Sequence, residues 1–484
     1  MEQPTGRPDH ELSNVMACEN NSSAIGSTAM ESHPIHAQDE KDTMKVFVGT
    51  FVHATRESPM VILTDMALGI LNGKIEFVEV VNKLGQLRAK YGFPDSCITY
   101  MTPGQFMMPG MIDTHIHAPQ FPNNGVKFDL PLLSWLNNYT FPMEAMFSDV
   151  KLARNVYTRV VERIVRNGTT TASYFASLHL PASKVLADVV HARGQRALVG
   201  KVNMIVNCPE YYQESSIEES LAETEELICY IANKQSPLVQ PIITPRFGIT
   251  CPLEQLKGLG QLAAKYDCHI QSHLCETKPE IAWIKELFPS NKSYTDVYDS
   301  TGLLGEKTIM AHCVWMEEEE LNQLKERSVG VSHCPNSNLS IRSGHCDVRK
   351  LLKRGIKVGL GTDCSGGYSP SMLDAIRRAM HVSNTLAIQH ENYTYLSLSE
   401  IFRLATLGGA QVVHMEDRIG NFETGKEFDS LLIDVEVPGS PLDIFSKDST
   451  EDKVQKFLCN GDDRNIVQVY VAGKCLINNW NYSG

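Results

Sequence analysis

The feature that most constrains the fold is a regular alternation of short apolar runs with longer segments of helical period. The first run covers residues 111–114, and seven more follow at residues 171–176, 197–204, 242–247, 269–273, 308–313, 329–334 and 357–363. Short buried runs separated by helices are typical of parallel strands joined by helical crossovers. Eight such units predict a (β/α)8 TIM barrel, whose active site lies at the C-terminal ends of the strands. An open, doubly wound sheet is the alternative architecture.

Two of the intervening segments show the helical pattern most clearly. Residues 149–167 form one candidate helix, and Gly168 follows as a typical C-terminal glycine. In the second segment the apolar or small residues recur with helical spacing; they are Met372, Ala375, Ile376, Ala379, Ser383 and Leu386. Helices of this kind can cover the outside of a barrel.

The two ends of the chain show a different sequence pattern, in which short strand-like runs are separated by turn residues. These runs lie at residues 46–52, 73–78, 430–434, 465–471 and 473–477. They predict a small β-sandwich domain formed by both ends. The predicted boundaries are a disordered tail at 1–43, the two parts of the β domain at 44–108 and 419–484, and the barrel at 109–418. The tail is poor in large apolar residues, so it cannot offset the entropy of ordering.

Composition excludes several classes of function. The formal net charge of −13 argues against a nucleic-acid backbone as partner, although an uncharged nucleobase remains compatible with it. No run is long and apolar enough for a membrane span, and no secretory signal is recognisable. The 13 cysteines are scattered without framework spacing, which predicts free thiols in a reducing compartment and a cytoplasmic location.

Candidate metal ligands lie at the ends of several predicted strands. His115 and His117 are two residues apart, so in an extended chain both imidazoles point to the same side. His273, His312 and Asp363 each end another run of the same predicted barrel. Each residue alone has an ordinary structural explanation, such as a hydrogen-bonded core histidine or a helix N-cap. Together they predict a metal site of the catalytic zinc type, with an open position for water.

The candidate ligands lie within longer sequence motifs. Through these and other motifs the sequence resembles the amidohydrolase superfamily and, within that superfamily, the guanine deaminases. The motifs are PGMIDTHIHAPQ at 109–120, DLPLLSWL at 129–136, YTFP at 139–142, TPRF at 244–247, SHLCE at 272–276, HCPNSNL at 333–339 and GTD at 361–363. The His-x-His and Thr-Asp elements occur throughout the superfamily. The elements APQ at 118–120, PLLSWL at 131–136 and PRF at 245–247 are more specific to guanine deaminases, and the resemblance covers nearly everything from about residue 45 to 475.

This resemblance implies hydrolytic deamination of guanine to xanthine and ammonia, with one zinc ion per subunit of a homodimer. It assigns the metal ligands as His115, His117, His273 and Asp363. It assigns catalytic roles to Glu276 as proton shuttle, to Asp363, and to His312 beside the metal-bound water. It assigns substrate contacts to Gln120, Arg246 and Phe247, together with His117, His273, Glu276 and Asp363. A bridging lysine, found in binuclear members at the end of the fourth strand, is replaced here by the sequence TPR at 244–246, which favours a single metal.

Three other interpretations compete with this one. Zinc deaminases of a second class use His-x-Glu with Pro-Cys-x-x-Cys, and although residues 414–416 read HME, the chain has no Pro-Cys pair. A single-zinc hydrolase acting on a related heterocycle is disfavoured by Gln120, Arg246 and Phe247. A non-catalytic scaffold would be expected to lose its ligands, and all of them are present.

Overall fold

The computed structural model describes residues 44–479, and the predicted tail at 1–43 lies outside them. The strands are β1 Lys45–His53, β2 Val61–Leu71, β3 Lys74–Val80, β4 Ile98–Tyr100, β5 Gln105–Pro109, β6 Met111–His117, β7 Thr169–Phe175, β8 Arg196–Gly200, β9 Val202–Asn203, β10 Val239–Pro245, β11 His269–Leu274, β12 Thr308–His312, β13 Gly330–His333, β14 Lys357–Leu360, β15 Ser430–Asp434, β16 Ile466–Val471 and β17 Lys474–Asn478.

Helices connect most of these strands, and several short ones shape the loops. They are α1 Leu84–Tyr91, α2 Leu132–Trp135, α3 Phe141–Ala145, α4 Val150–Arg166, α5 Leu180–Arg193, α6 Ile217–Ala232, α7 Leu253–Tyr266, α8 Lys278–Leu287, α9 Tyr294–Asp299, α10 Glu318–Glu326, α11 Pro335–Ser340, α12 Val348–Lys353, α13 Met372–Gln389, α14 Leu398–Arg403, α15 Gly409–Val412 and α16 Thr450–Asn460. Among the described residues, no helix combines the length and the apolar content that crossing a bilayer would require.

The larger sheet is a nearly closed parallel barrel. Its strands lie in the order β6, β7, β8, β10, β11, β12, β13 and β14, and β9 extends the third strand beside β10. Two backbone hydrogen bonds join the C-terminal part of the first strand to the segment just after the last, from Asp363 N to the His115 carbonyl (2.9 Å) and from His117 N to the Cys364 carbonyl (3.1 Å). The predicted barrel is confirmed, all eight predicted strands are present, and the open sheet is excluded.

The two helices predicted most clearly from the sequence have the expected ends and faces. The Asp149 side chain accepts hydrogen bonds from the first turn of α4, as an N-cap does. Gly168 follows α4 with a φ of +84°, a conformation that glycine adopts without strain. The predicted stripe of α13 is buried over its whole length, so this face covers the barrel.

The chain ends form a second, separate sheet. Its strands lie in the order β17, β16, β15, β5, β1, β2 and β3, with β4 beside β1. The antiparallel pair β5–β15 joins the N-terminal part to the C-terminal part, with Met107 opposite Leu432. This sheet confirms the predicted union of the two ends. The strands β2, β4 and β5 and the helices α1 and α16 were not predicted, and the domain boundaries at 108/109 and 418/419 stay predictions.

Candidate active site

Four predicted ligand side chains converge at the C-terminal end of the barrel. The Nε2 atom of His117 lies 3.2 Å from the Nε2 atoms of both His115 and His273. Asp363 Oδ1 lies 3.3 Å from His115 Nε2 and 3.5 Å from His117 Nε2. Zinc–nitrogen bonds of about 2.0–2.1 Å in tetrahedral geometry separate neighbouring ligand atoms by about 3.3 Å. The donor set and its spacing therefore fit one zinc ion.

The imidazoles are held in the form that binds a metal. The Nδ1 atom of His273 lies 2.5 Å from the carbonyl oxygen of Arg246, so Nδ1–H donates there and Nε2 keeps its lone pair for the cluster. Burial lowers the pKa of His115, of His117 and of His273. Neutral imidazoles are the ligand form, because a protonated nitrogen has no lone pair to offer.

His312 lies on the other side of the Asp363 carboxylate. Its Nε2 atom is 3.8 Å from Asp363 Oδ2 and 3.6 Å from Glu276 Oε2, and its Nδ1 atom lies 2.8 Å from Asn338 Oδ1. With the Asn338 oxygen as the acceptor, His312 donates from Nδ1. Burial alone would raise the pKa of Asp363, but the surrounding imidazoles, that of His115 foremost, hold it well below its ordinary value.

Two of these residues, His312 and Asp363, lie at or just after strand ends and have an unusual backbone conformation. His312 and Asp363 have φ values of +71° and +45°, in the left-handed region that residues other than glycine seldom adopt. Both residues are also almost fully buried. Such conformations cost free energy and persist only where surrounding contacts enforce them, and they concentrate at functional sites.

Glu276 is a buried carboxyl beside this cluster. Its Oε1 atom accepts a hydrogen bond of 2.7 Å from the Ser343 hydroxyl, and its Oε2 atom faces His312. Burial raises the pKa of Glu276 and favours the protonated form. Glu280 lies one helical turn further along, and burial, followed by the charge of Glu276, raises its pKa to about 7. Burial thus shifts both carboxyl groups of the site towards their protonated forms.

Arg246 is a fully buried cation with a fixed partner. Its guanidinium forms a two-pronged ion pair with Glu144, through Nη1 to Oε2 (2.5 Å) and Nη2 to Oε1 (3.1 Å). Gln120 Nε2 donates to the same carboxylate at 2.9 Å, and the Tyr212 hydroxyl donates at 2.8 Å. The guanidinium also lies 4.9 Å from the centre of the Phe141 ring.

Side chains of both the histidine–carboxylate cluster and the Arg246–Gln120 group face one pocket. The described residues that line it are His117, Gln120, Leu132, Trp135, Leu136, Arg246, Phe247, His273, Glu276, Glu280, His312, Ile341, Asp363 and Gly366. Flat apolar side chains therefore face the same space as the polar ones, as a small planar ligand requires.

The structure brings together every site residue predicted from the sequence. His115 lies behind the pocket wall with its Nε2 in the cluster, and the other predicted residues line the pocket directly. Sequence reasoning missed Glu144, Ser343, Asn338 and Glu280. The motif HCPNSNL contained Asn338, but nothing in the spacing indicated that it would orient a histidine.

Comparison with known proteins agrees with this geometry. A model of the Amidohydrolase family matches residues 106–476, which is well over half of the chain. The chain belongs to the amidohydrolase family. A guanine deaminase of Mus musculus is 50% identical over 439 residues, which cover 89% of this chain and 96% of that protein. The resemblance to guanine deaminases inferred from the motifs is thereby confirmed.

Solved structures of this family show the same architecture. Guanine deaminase from C. acetobutylicum, with guanine bound in its active site, has a TM-score of 0.82 and 37% identity, and the match covers 90% of this chain and 100% of that one. An adenosine deaminase from Xanthomonas campestris with bound zinc has a TM-score of 0.77 and 26% identity, covering 91% and 93% of the two chains. The chain is an enzyme of this amidohydrolase family, as predicted.

Proposed function

We propose that the protein deaminates guanine hydrolytically, giving xanthine and ammonia. The observation that carries this proposal is a single pocket lined both by the ligand cluster with Glu276 and by Arg246, Gln120 and Phe247. The first group suits the hydrolysis of a C–N bond. The second group suits a flat, neutral heterocycle with a carbonyl oxygen. The guanine deaminases of Mus musculus and C. acetobutylicum support guanine as the substrate.

One zinc ion per subunit would be held by His115, His117, His273 and Asp363. Zinc in such a site lowers the pKa of a water molecule toward about 7, so that a nucleophile is available at neutral pH. The ligand atoms suit this ion because His117 Nε2 lies 3.2 Å from the Nε2 atoms of His115 and His273, and Asp363 Oδ1 lies 3.3–3.5 Å from His115 and His117. A divalent cation among them would accept the lone pairs of all four atoms.

Two carboxyl groups would move the protons of the reaction. Asp363 directs Oδ1 to the ligand cluster and Oδ2 towards His312, so Oδ2 is placed to take a proton from the attacking water. Glu276, whose pKa is raised by burial, would donate in its protonated form from Oε2 to a ring nitrogen beside C2 and make that carbon more electrophilic. A C–O bond then forms at C2, and Glu276 takes up the proton of the new hydroxyl and passes it to the amino group. The C2–N bond breaks, ammonia leaves, and the proton held by Asp363 returns to Glu276.

Arg246 and Phe247 would select the purine. The Arg246 guanidinium can only donate hydrogen bonds, so it favours the carbonyl oxygen of guanine over the amino group of adenine. The Phe247 side chain offers an apolar face for the ring. Gln120, which carries both a donor and an acceptor, can read a purine edge. Arg246, Phe247 and Gln120 also disfavour the rival substrate, a related heterocycle acted on by another single-zinc deaminase or chlorohydrolase.

An ammonia-release assay of the zinc-loaded protein across guanine, adenine, cytosine and their nucleosides tests the proposal. We expect release from guanine well above release from adenine, cytosine and their nucleosides, because among the bases tested only guanine combines a 2-amino group with a 6-oxo group. Stronger release from adenine, cytosine or a nucleoside would contradict the assignment. A protein that contains no zinc and releases no ammonia would instead favour the non-catalytic scaffold.

Two further expectations are attached to this proposal. The homodimer is tested by light scattering of the purified protein, where a mass near 53.9 kDa would contradict it. The cytoplasmic location is tested by cell fractionation of the tagged full-length chain.

A further inference from the structure

Glu144 is a fully buried acidic residue that lies beside the pocket without lining it. It belongs to the short helix α3, in the long connection between β6 and β7. Its carboxylate accepts four hydrogen bonds from three side chains, two from Arg246 and one each from Gln120 and Tyr212. These donors come from segments that follow three different barrel strands, so one carboxylate ties three loops together.

The charge of Glu144 determines where the Arg246 guanidinium points. Among the described residues, the ion-pair partner of Arg246 within 4.0 Å is Glu144, and both side chains are at most 2% exposed. A two-pronged pair fixes the plane of a guanidinium as well as its position. Without the carboxylate, the cation would be buried and unpaired, and it would have to move toward another acceptor or toward solvent.

The same carboxylate also determines how the Gln120 amide is turned. Carboxylate oxygens accept and do not donate, so the Gln120 atom that faces Glu144 must be the amide nitrogen. The Gln120 oxygen is therefore turned away, and it accepts a hydrogen bond of 3.3 Å from the backbone N–H of Ser365. A neutral amide at position 144 would accept either orientation, because it presents a donor as well as an acceptor.

We propose that Glu144 is a positioning residue that sets the purine specificity of this site through Arg246 and Gln120. Glu144 holds two groups at the same pocket: the Arg246 guanidinium, which donates hydrogen bonds, and the Gln120 amide, whose orientation it fixes. Together these two groups would distinguish an oxo-purine from a purine without the oxo group. The inference rests on the proposed function for the identity of the ligand. It adds a determinant that does not itself touch the substrate.

The test compares two purines that lack a 2-amino group and are therefore not deaminated there. Hypoxanthine carries the 6-oxo group and the adjacent ring N–H, whereas unsubstituted purine carries neither. Titration calorimetry with the zinc-loaded wild-type protein should show hypoxanthine binding more tightly, by about 10- to 100-fold, the range expected for a hydrogen bond to a charged group. In Glu144→Gln this preference should fall towards equality. The KM for guanine should rise more than kcat falls, because Glu276 and Asp363 keep their contacts.

Glu427→Gln is the matched control, because Glu427 also forms an ion pair with a buried arginine, Arg196, at 2.6 Å and lies outside the pocket. The control should keep the wild-type preference for hypoxanthine. Glu144→Asp keeps the charge with a shorter reach and should give an intermediate preference. It also serves as the test if Glu144→Gln does not fold, as judged by thermal denaturation.

If Glu144 had only a structural role, its substitution would weaken the binding of both purines equally and leave the ratio of their affinities unchanged. That result would overturn the inference. An unchanged ratio in Glu144→Asp would overturn it when only that variant folds. These measurements need no turnover. Absence of ammonia release from guanine by the wild-type protein would therefore count against the proposed function alone.

Discussion

The hydroxyl of Ser343 lowers the pKa of Glu276, the acid of the proposed reaction. We therefore predict that removing this hydroxyl raises that pKa. Ser343 donates at 2.7 Å to Glu276 Oε1, and this hydrogen bond stabilises the ionised carboxylate. A hydrogen bond to a charged group contributes about 1.5–3 kcal/mol. Since one pKa unit corresponds to about 1.36 kcal/mol, Ser343→Ala should raise the pKa of Glu276 by about one to two units. Burial already raises this pKa, so the two effects have the same direction.

The assay is the pH dependence of kcat/KM for ammonia release from guanine. Glu276 acts as a donor in its protonated form, so its ionisation should appear as the loss of activity on the alkaline side. In Ser343→Ala this alkaline limb should move to higher pH by about one to two units. Ser430→Ala is the control, because its buried hydroxyl donates to the Met108 carbonyl in the other sheet. An alkaline limb that stays in place, or moves to lower pH, would refute the reasoning.

Three further predictions concern the metal, the proton shuttle and a helix end. His115→Ala should lose zinc together with activity, and a normal zinc content by elemental analysis would contradict its assignment as a ligand. Glu276→Gln should retain zinc but lose most ammonia release from guanine, and full activity would exclude Glu276 as the shuttle. Asp149→Ala should lower the free energy of unfolding by about 1 kcal/mol in urea denaturation, through loss of the N-cap of α4, with kcat unchanged. A change in kcat there would mean that α4 influences the site.

The barrel was predictable from the sequence because each of its strands is a self-contained apolar run. Its strands are buried on both faces, and this burial leaves a run that can be recognised without knowing its neighbours. The strand β2 was not predicted, since its burial is uneven and polar residues such as Asp65 interrupt it. The strand β5 pairs with β15 from the far end of the chain, so its context depends on tertiary contacts.

The residues of the candidate site also divide into those that the sequence could predict and those that it could not. The residues found in advance, such as His273 and Asp363, follow apolar strands, and the rule that barrel strands end at the active site gave their location. Glu144 and Ser343 lie in long connections without periodic patterns. Their importance depends on which side chains the folded loops bring to them, the guanidinium of Arg246 in one case and the carboxyl of Glu276 in the other. Spacing along the chain carries no information about such contacts.

Closure of the barrel is what connects its fold to its chemistry. His115 and His117 belong to the first strand, and Asp363 follows the last, so the ligand cluster spans the seam between them. The Asp363 N–H donates to the His115 carbonyl, and the His117 N–H donates to the Cys364 carbonyl, which fixes the register of the two segments at the position of the ligands. A slip by one residue would turn the side chains to the opposite face. The spacing of 3.3 Å between His115 Nε2 and Asp363 Oδ1 is therefore set by backbone hydrogen bonds of the barrel. The proposed recognition groups Arg246 and Gln120 contact Glu144 in the loops instead, so we expect metal binding and purine recognition to respond to different substitutions.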